Sequence, residues 1–285
     1  MADAIIANTE FGASKAILIA QLVQKELAFN AMLTQTITDV SAFAVEGLKQ
    51  ISFPKLTSFT VSNRTEGAYG DASTITSSVD TMDLNFNAYV SWIIDAMTQK
   101  QANPAVVLET ARRAAMAQAR YVDTQIITKL AAVAASFVNV GSDVDVTYAN
   151  IVDMHTDLME ADADMTQVSI VASPAQHGAL MKLDEFKRAD VYGLATIPRG
   201  VLGFILGMPV YIHNGLAAKQ LFMYEKGGLA IGFQKQAAYG EQDEIGYGVG
   251  AKKAAIDQLF GLVGLQLGLK GAGGTKSPLV LGLND

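Results

Sequence analysis

Residues 103–135 read NPAVVLETARRAAMAQARYVDTQIITKLAAVAA, and the rest of the chain has to be arranged around them. Leu108, Ala111, Ala115, Ala119, Val122, Ile126, Leu130 and Val133 recur at alternating spacings of three and four, which places them on one face of a helix. Asn103 is a suitable cap, and Pro104 stands at the first helical position, where its missing N–H is harmless. Glu109 precedes Arg113 by four residues, the favourable orientation for an ion pair. At ~1.5 Å per residue this helix spans roughly 45–50 Å, more than a small domain needs, so it is expected to be a backbone for the fold.

Working outward towards the N-terminus, residues 82–90 alternate strictly. Met82, Leu84, Phe86, Ala88 and Val90 interleave with Asp83, Asn85, Asn87 and Tyr89, the pattern of a half-buried strand. Residues 53–61 are a partner strand. Between the two lies SNRTEGAYGDASTITSSVD, residues 62–80, with turn signals at Gly67, Gly70 and Asp71 and few large apolar side chains. This predicts a long hairpin whose distal half has no core of its own. A two-stranded ribbon is marginal in water, so it needs something else to lie on. Residues 13–48 read as helical: Ala16, Ile17, Ala20, Val23 and Leu27 share a face, and a weaker helix is expected over 31–46 with Leu33, Ile37, Val40 and Ala44 inward and Gly47 as its stop.

Towards the C-terminus, Thr147 caps an expected helix with Ile151, Met154 and Leu158 on one face and Asp153, Asp157 and Glu160 on the other. Residues 167–172 form a short apolar strand. Ser173 to Gln176 reads as a capping box with Pro174 opening the next helix. A Gly-containing loop is expected over 184–207, then strands at 209–213, 220–225, 229–234, 259–269 and 279–283. The order of elements gives an α+β chain with a mixed α/β portion.

The chain has 285 residues, half of them hydrophobic and 17% charged, which excludes an intrinsically disordered protein. The length fits roughly two domains. A net charge of −7 makes a free-standing nucleic-acid binder a poor reading. There is no Cys, which removes disulfides, thiolate metal sites and Cys nucleophiles together. No secretory signal is read at the N-terminus. No apolar run reaches the ~18 residues of a membrane helix: residues 16–23 are too short, and 201–212 are broken by Gly203, Gly207 and Pro209. No membrane partner is therefore expected. With a mean hydropathy of +0.25, a water-soluble chain has to hide surface, and a large oligomeric interface is one place to do so.

Catalytic and metal motifs are weak. Gly271 to Ser277 approaches a phosphate loop, but Thr275 stands where the Gly before Lys276 should be, and Pro278 follows at once. Gly246 to Gly250 does not fit a dinucleotide fingerprint and reads as a Gly-rich loop. His155, His177 and His213 lie in no metal-binding arrangement, and Asp153, Asp157, Glu160, Asp162 and Asp164 lack calcium-loop spacing. No Ser sits in a nucleophile elbow. No catalytic residue, metal or cofactor is assigned, and the chain is read as a non-enzyme. Arg112, Arg113 and Arg120 cluster on the long helix; ordinary pairing with Glu109 and Asp123 competes with a weak contact to a polyanion.

The order of parts is similar to that of a known family. A helical arm, a long polar ribbon, and a long helix opening at Asn103-Pro104 and running through Val107-Leu-Glu-Thr-Ala-Arg-Arg113 are followed by residues 119–130, where Asp123 precedes apolar pairs. An α/β portion then carries Gly203-Phe-Ile-Leu-Gly-Met-Pro-Val-Tyr-Ile-His-Asn-Gly-Leu216. Together these resemble the major capsid proteins of tailed bacteriophages, the Hong Kong ninety-seven-type fold. The resemblance implies an N-arm at 1–48, an extended E-loop at 49–91, a P-domain with the spine helix at 92–145, an A-domain at 146–222 and a return to the P-domain at 223–285. It implies a structural protein of the virion, assembled in the host cytoplasm as hexamers and pentamers into an icosahedral shell around double-stranded DNA. Phe59, Val61, Arg64, Glu66, Tyr69 and Asp71 of the E-loop would then touch neighbouring subunits, and Arg112, Arg113 and Arg120 would face DNA weakly.

Two departures sharpen these expectations. Some family members weld subunits through an E-loop Lys, but no Lys lies between Lys55 and Lys100, so non-covalent contacts are expected. The arm begins almost at Met1, so no cleaved extension is expected, and scaffolding protein and portal would be separate partners. Encapsulin-type nanocompartments share the architecture and are the nearest alternative. A soluble α/β enzyme or binding module with a dimerisation arm is the alternative from another class.

Overall fold

The computed structural model describes residues 19, 21–23, 25–26, 31–56, 77–94, 104–134, 137–138, 145–160, 163–183, 201–247, 251–265 and 280–283. The spine helix, α1, runs Pro104–Val133. Ala111, Ala115, Ala119, Val122, Ile126 and Leu130 have no exposed surface, as the three-and-four spacing requires. Leu108 is 42% exposed, one turn before the stripe meets its first partners.

Among the described residues twelve strands are arranged in three sheets. A four-stranded sheet has the order β1 (Thr38–Asp39), β10 (Leu229–Asp243), β11 (Lys252–Gly264), β4 (Phe86–Ile94). A six-stranded sheet has the order β5 (Phe137–Val138), β12 (Val280–Leu283), β9 (Leu221–Glu225), β6 (Val168–Ala172), β8 (Met208–Ile212), β7 (Val201–Ile205). β2 (Gln50–Leu56) and β3 (Ser77–Asp83) form a separate antiparallel ribbon.

α1 joins the two large sheets. Val122, Ile126 and Leu130 pack in one cluster with Phe260 of β11, Leu229 of β10 and Phe222 of β9. The Gln118 side chain, 1% exposed, donates from Nε2 to the carbonyls of Ala88 (3.1 Å) and Ile256 (2.9 Å), stapling the helix across β4 and β11. Every residue of β6 is buried. Val168, Ile170 and Ala172 meet Ile151, Met154 and Leu158 of α2 (Tyr148–Glu160), while Val171 meets the spine cluster. That is why its sequence, with the small Ser169 as its one polar residue, is apolar on both faces instead of alternating.

Five expectations change. The alternating run 82–90 is not one strand of the hairpin: β3 ends at Asp83 and pairs with β2, whereas β4 begins at Phe86 and pairs with β11. Residues 31–46 are not a helix but two short 3-10 turns, Leu33–Thr36 and Ser41–Phe43, around β1, which pairs parallel with β10. Leu33, Ile37, Val40 and Ala44 are buried as the spacing suggests. The backbone, however, is claimed by local side chains: Thr36 Oγ1 donates to Leu33 O at 2.7 Å, and Asp39 Oδ1 accepts from Ser41 N–H at 2.9 Å. Within the expected 184–207 loop, Val201–Ile205 is β7, joined to β8 by Leu206 and Gly207 at φ 51° and 83°, a two-residue hairpin turn of the I′ kind. The expected strand at 229–234 continues to Asp243, and its partner begins at Lys252 instead of 259. Ser173 does cap α3 (Pro174–Leu180), accepting from Gln176 N–H at 3.3 Å. The Gln176 amide does not return the bond; it accepts from Val146 N–H (2.9 Å) and donates to Lys219 O (2.6 Å).

Candidate assembly surfaces

The β2–β3 ribbon leaves the body after its first few pairs. Ile51 and Met82, opposite one another, are buried with Val40, Leu84, Ala230 and Val263, and Phe53 packs at the margin. Gln50 Nε2 donates to Asp83 Oδ1 at 2.6 Å across the strands. Beyond this anchor Pro54 is exposed, and Val79 opposite it is 56% exposed. Phe59, Val61, Arg64, Glu66, Tyr69 and Asp71 lie outside the described residues.

A second extension, three-stranded because β4 runs beside β11 as far as Ile94↔Lys252, was not legible as one in the sequence. The distal halves of β10 and β11 pair from Ala238↔Asp257 to Asp243↔Lys252. Ion pairs line it, Lys252 Nζ to Glu241 Oε2 at 3.1 Å and Lys235 to Asp257. Its tip carries Ile245 at 82% exposure and Tyr247 at 57%. Ala254, Ile256, Gln258 and Phe260, alternating with Lys253, Ala255, Asp257 and Leu259, were the available signal. A third exposed apolar group is Phe43 and Val45, on the segment that leads into β2. Gln234 Nε2 holds that segment by donating to Val45 O and Leu48 O, each at 2.8 Å.

The described titratable groups do not converge on a reactive centre. Among the described residues no group of three or more His, Asp or Glu side chains could hold a metal ion. His155 is half-buried on α2, and Asp153, Asp157 and Glu160 are exposed. Asp164 caps a 3-10 turn; the Thr166 hydroxyl and N–H and the Gln167 amide hold its carboxyl below the usual range. His177 on α3 has its imidazole pKa lowered by burial. Asp123 is 1% exposed and accepts from Leu33 N–H at 3.3 Å; its other oxygen lies 3.6 Å from His213 Nε2. It is therefore not the partner expected for the helix arginines. Burial pushes the Tyr224 phenol up, keeping it a neutral donor to Thr36.

No family model matches the sequence, and no curated protein is similar to it in sequence. Solved structures are similar along nearly its whole length. A chain of Mycobacterium phage Che8 shares 15% identity over 89% of this chain and 90% of that one, with a TM-score of 0.70. The capsid of Ralstonia phage GP4 shares 12% over 87% and 86%, with a TM-score of 0.65. The chain has the Hong Kong ninety-seven-type capsid fold. A virus-like particle from Pyrococcus furiosus also shares it, at 7% identity over 95% and 99% and a TM-score of 0.59.

Within this capsid fold the three arginines are spread along the exposed side of the spine helix. Arg112 pairs with Glu26 at 3.1 Å and Arg113 with Glu109 at 3.1 Å. Arg120 is exposed and makes no ion pair among the described residues. Beside it, Thr124 Oγ1 donates to Arg120 O (2.8 Å) and Thr128 Oγ1 to Thr124 O (2.9 Å), so both hydroxyl protons are already used.

Proposed function

We propose that the chain is the major capsid protein of a tailed double-stranded DNA bacteriophage, which self-assembles as hexamers and pentamers into an icosahedral shell around the genome. The reading rests on the likeness to solved phage capsids over 87% of the chain. The chain's surface supports it. The β2–β3 ribbon carries Val79 away from the core, and Ile245 and Tyr247 stand exposed at the β10–β11 tip; a neighbouring copy is what would cover them. The role is structural, with no catalytic step.

In this reading 1–48 is the N-arm, 49–91 the E-loop, 92–145 the P-domain with its spine helix and 146–222 the A-domain. From 223 the chain returns to the P-domain through β10 and β11, and β12 goes back to the sheet of the A-domain. Phe59, Val61, Arg64, Glu66, Tyr69 and Asp71 contact a neighbour. Arg112, Arg113 and Arg120 give only weak contact with packaged DNA, since affinity grows with the number of phosphates neutralised and two of the three are already paired. Scaffolding protein and portal are separate chains, and assembly takes place in the host cytoplasm.

Negative-stain electron microscopy with size exclusion tests the reading. Closed uniform shells or hexamer-sized capsomers are expected. A dimer or tetramer that grows no further at high concentration would overturn it. Nucleic acid inside purified particles is expected; a cargo enzyme in its place would assign the shell to a nanocompartment.

A further inference from the structure

Three parts of the chain, distant in sequence, meet in one buried polar ring. From the spine helix comes Asp123, 1% exposed. From the segment before β1 come Leu33 and Thr36, at 1% and 4%. From the six-stranded sheet come Tyr224 of β9, fully buried, and His213 just past β8. Thr36 Oγ1 donates to Leu33 O at 2.7 Å, so its single proton is used and the Tyr224 hydroxyl is the donor in their mutual bond. Leu33 N–H donates to Asp123 Oδ1 at 3.3 Å. His213 Nδ1 accepts from Gly215 N–H at 2.9 Å, which places the ring proton on Nε2, 3.6 Å from Asp123 Oδ2. Hydrogen bonds thus run from Tyr224 through Thr36 and Leu33 to Asp123, and the partly buried His213 imidazole, 3.6 Å from that carboxylate, completes the return to the sheet as a looser polar contact.

Leu33 is held at both ends, its N–H by the helix and its C=O by the relay to the sheet. A buried carboxylate and a buried phenol without these partners would be strongly unfavourable. The segment at 31–37 therefore cannot leave α1 without leaving polar groups of both helix and sheet unpaired. We propose that this ring is a coupling joint: docking of residues 31–37 on the spine helix and seating of β8 and β9 in the six-stranded sheet are one equilibrium, so that displacement of either loosens the other. The arrangement is unlike a catalytic Asp–His pair, because the second imidazole nitrogen is occupied by a backbone N–H and faces no nucleophile.

Hydrogen exchange read by mass spectrometry on the dispersed chain tests this without requiring any shell, so its failure and the failure of the capsid reading are distinguishable. Two variants enter the ring from opposite sides. Thr36→Val cuts the relay in the N-terminal segment. Gly215→Ala pushes on the imidazole, because a Cβ there would lie 2.9 Å from His213 Nδ1 and 3.3 Å from Ile127 Cδ1. Thr36→Val is expected to speed exchange about fivefold at 211–216 and 221–225 as well as at 31–37, the scale of one lost buried hydrogen bond. Gly215→Ala is expected to do the same at 31–37. Thr36→Ser, which keeps the hydroxyl, should restore the parent pattern. Faster exchange confined to each mutated element would overturn the proposal. Emission of Trp92, the only tryptophan, which packs in a different cluster, reports that the fold is intact. If one variant fails to fold, Asp123→Asn replaces it, with faster exchange expected at 31–37 and 211–216 together and the same confined outcome overturning the joint.

Discussion

Gly264 of β11 lies so close to Val133 at the end of the spine helix that a Cβ at 264 would fall 2.4 Å from Val133 Cγ2. Helix and strand touch there because one side chain is missing. Gly264→Ala is expected to destabilise the chain by about 1–3 kcal/mol, the range for overpacking. Val133→Ala in the same chain should recover part of that loss, giving a non-additive cycle in urea unfolding. Strict additivity would place the clash elsewhere.

Leu206 holds φ 51° in the β7–β8 turn with its side chain 45% exposed. A non-glycine residue is strained in this region. Leu206→Asn, giving the Asn-Gly pair that such turns favour, should raise stability by about 0.5–1 kcal/mol and Tm by roughly 1–2 °C. An unchanged or lower Tm in a thermal melt counts against the turn assignment.

His177 predicts a pH dependence. Burial lowers its pKa from 6.5, so in the window between the folded value and 6.5 the unfolded chain binds more protons than the native one. Stability is therefore full above 6.5 and falls as the pH drops through the folded pKa. His177→Gln should flatten that stretch of a urea-midpoint profile. The same slope in the variant would assign it to another group.

The N-terminal helical stretch docks by small contacts. Ile19 and Val23 are fully buried against Ala111, Ala114, Ala115 and Ile256, beside Trp92. Glu26 to Arg112 is a partly exposed pair, worth about 0–1 kcal/mol. Ile19→Ala with Val23→Ala should shift Trp92 emission to the red, whereas Arg112→Ala should leave it in place. The reverse order would make the ion pair the anchor.

If the proposed shell forms, its particles should run as a single monomer band on a denaturing gel, since no Lys lies between positions 55 and 100 to cross-link through the ribbon. A ladder of covalent oligomers would refute this.

What could be read in advance was whatever is encoded by periodicity. The stripe from Ala111 to Leu130 and the buried face of Ile151, Met154 and Leu158 each belong to one unbroken helix; the alternation from Met82 to Val90 marks inward residues, but the chain passes there from β3 to β4 and from one sheet to another. Where two partners compete for the backbone, periodicity misled. Leu33, Ile37, Val40 and Ala44 have helical spacing, yet Thr36 and Asp39 take the local hydrogen bonds and β10 takes the rest. The distal β10–β11 ribbon escaped notice because its side chains are mostly polar or small. The ring at Asp123 could not have been found at all: within the helix an Asp three residues after Arg120 looks like an ordinary salt-bridge partner, and only the tertiary fold brings His213 to it.

β10 changes register against β11 twice, between Phe233 and Lys235 and again between Lys235 and Ala238. Past Ile231, β1 no longer covers its outer edge. A straight strand left open in this way would be a template for indiscriminate strand addition, the route to fibres when a polypeptide accumulates at high copy number. The two irregularities bend that edge out of line with any incoming strand. In the proposed shell role, unassembled copies can then accumulate while their associations remain those of shape-matched, closed contacts and do not become an endless sheet.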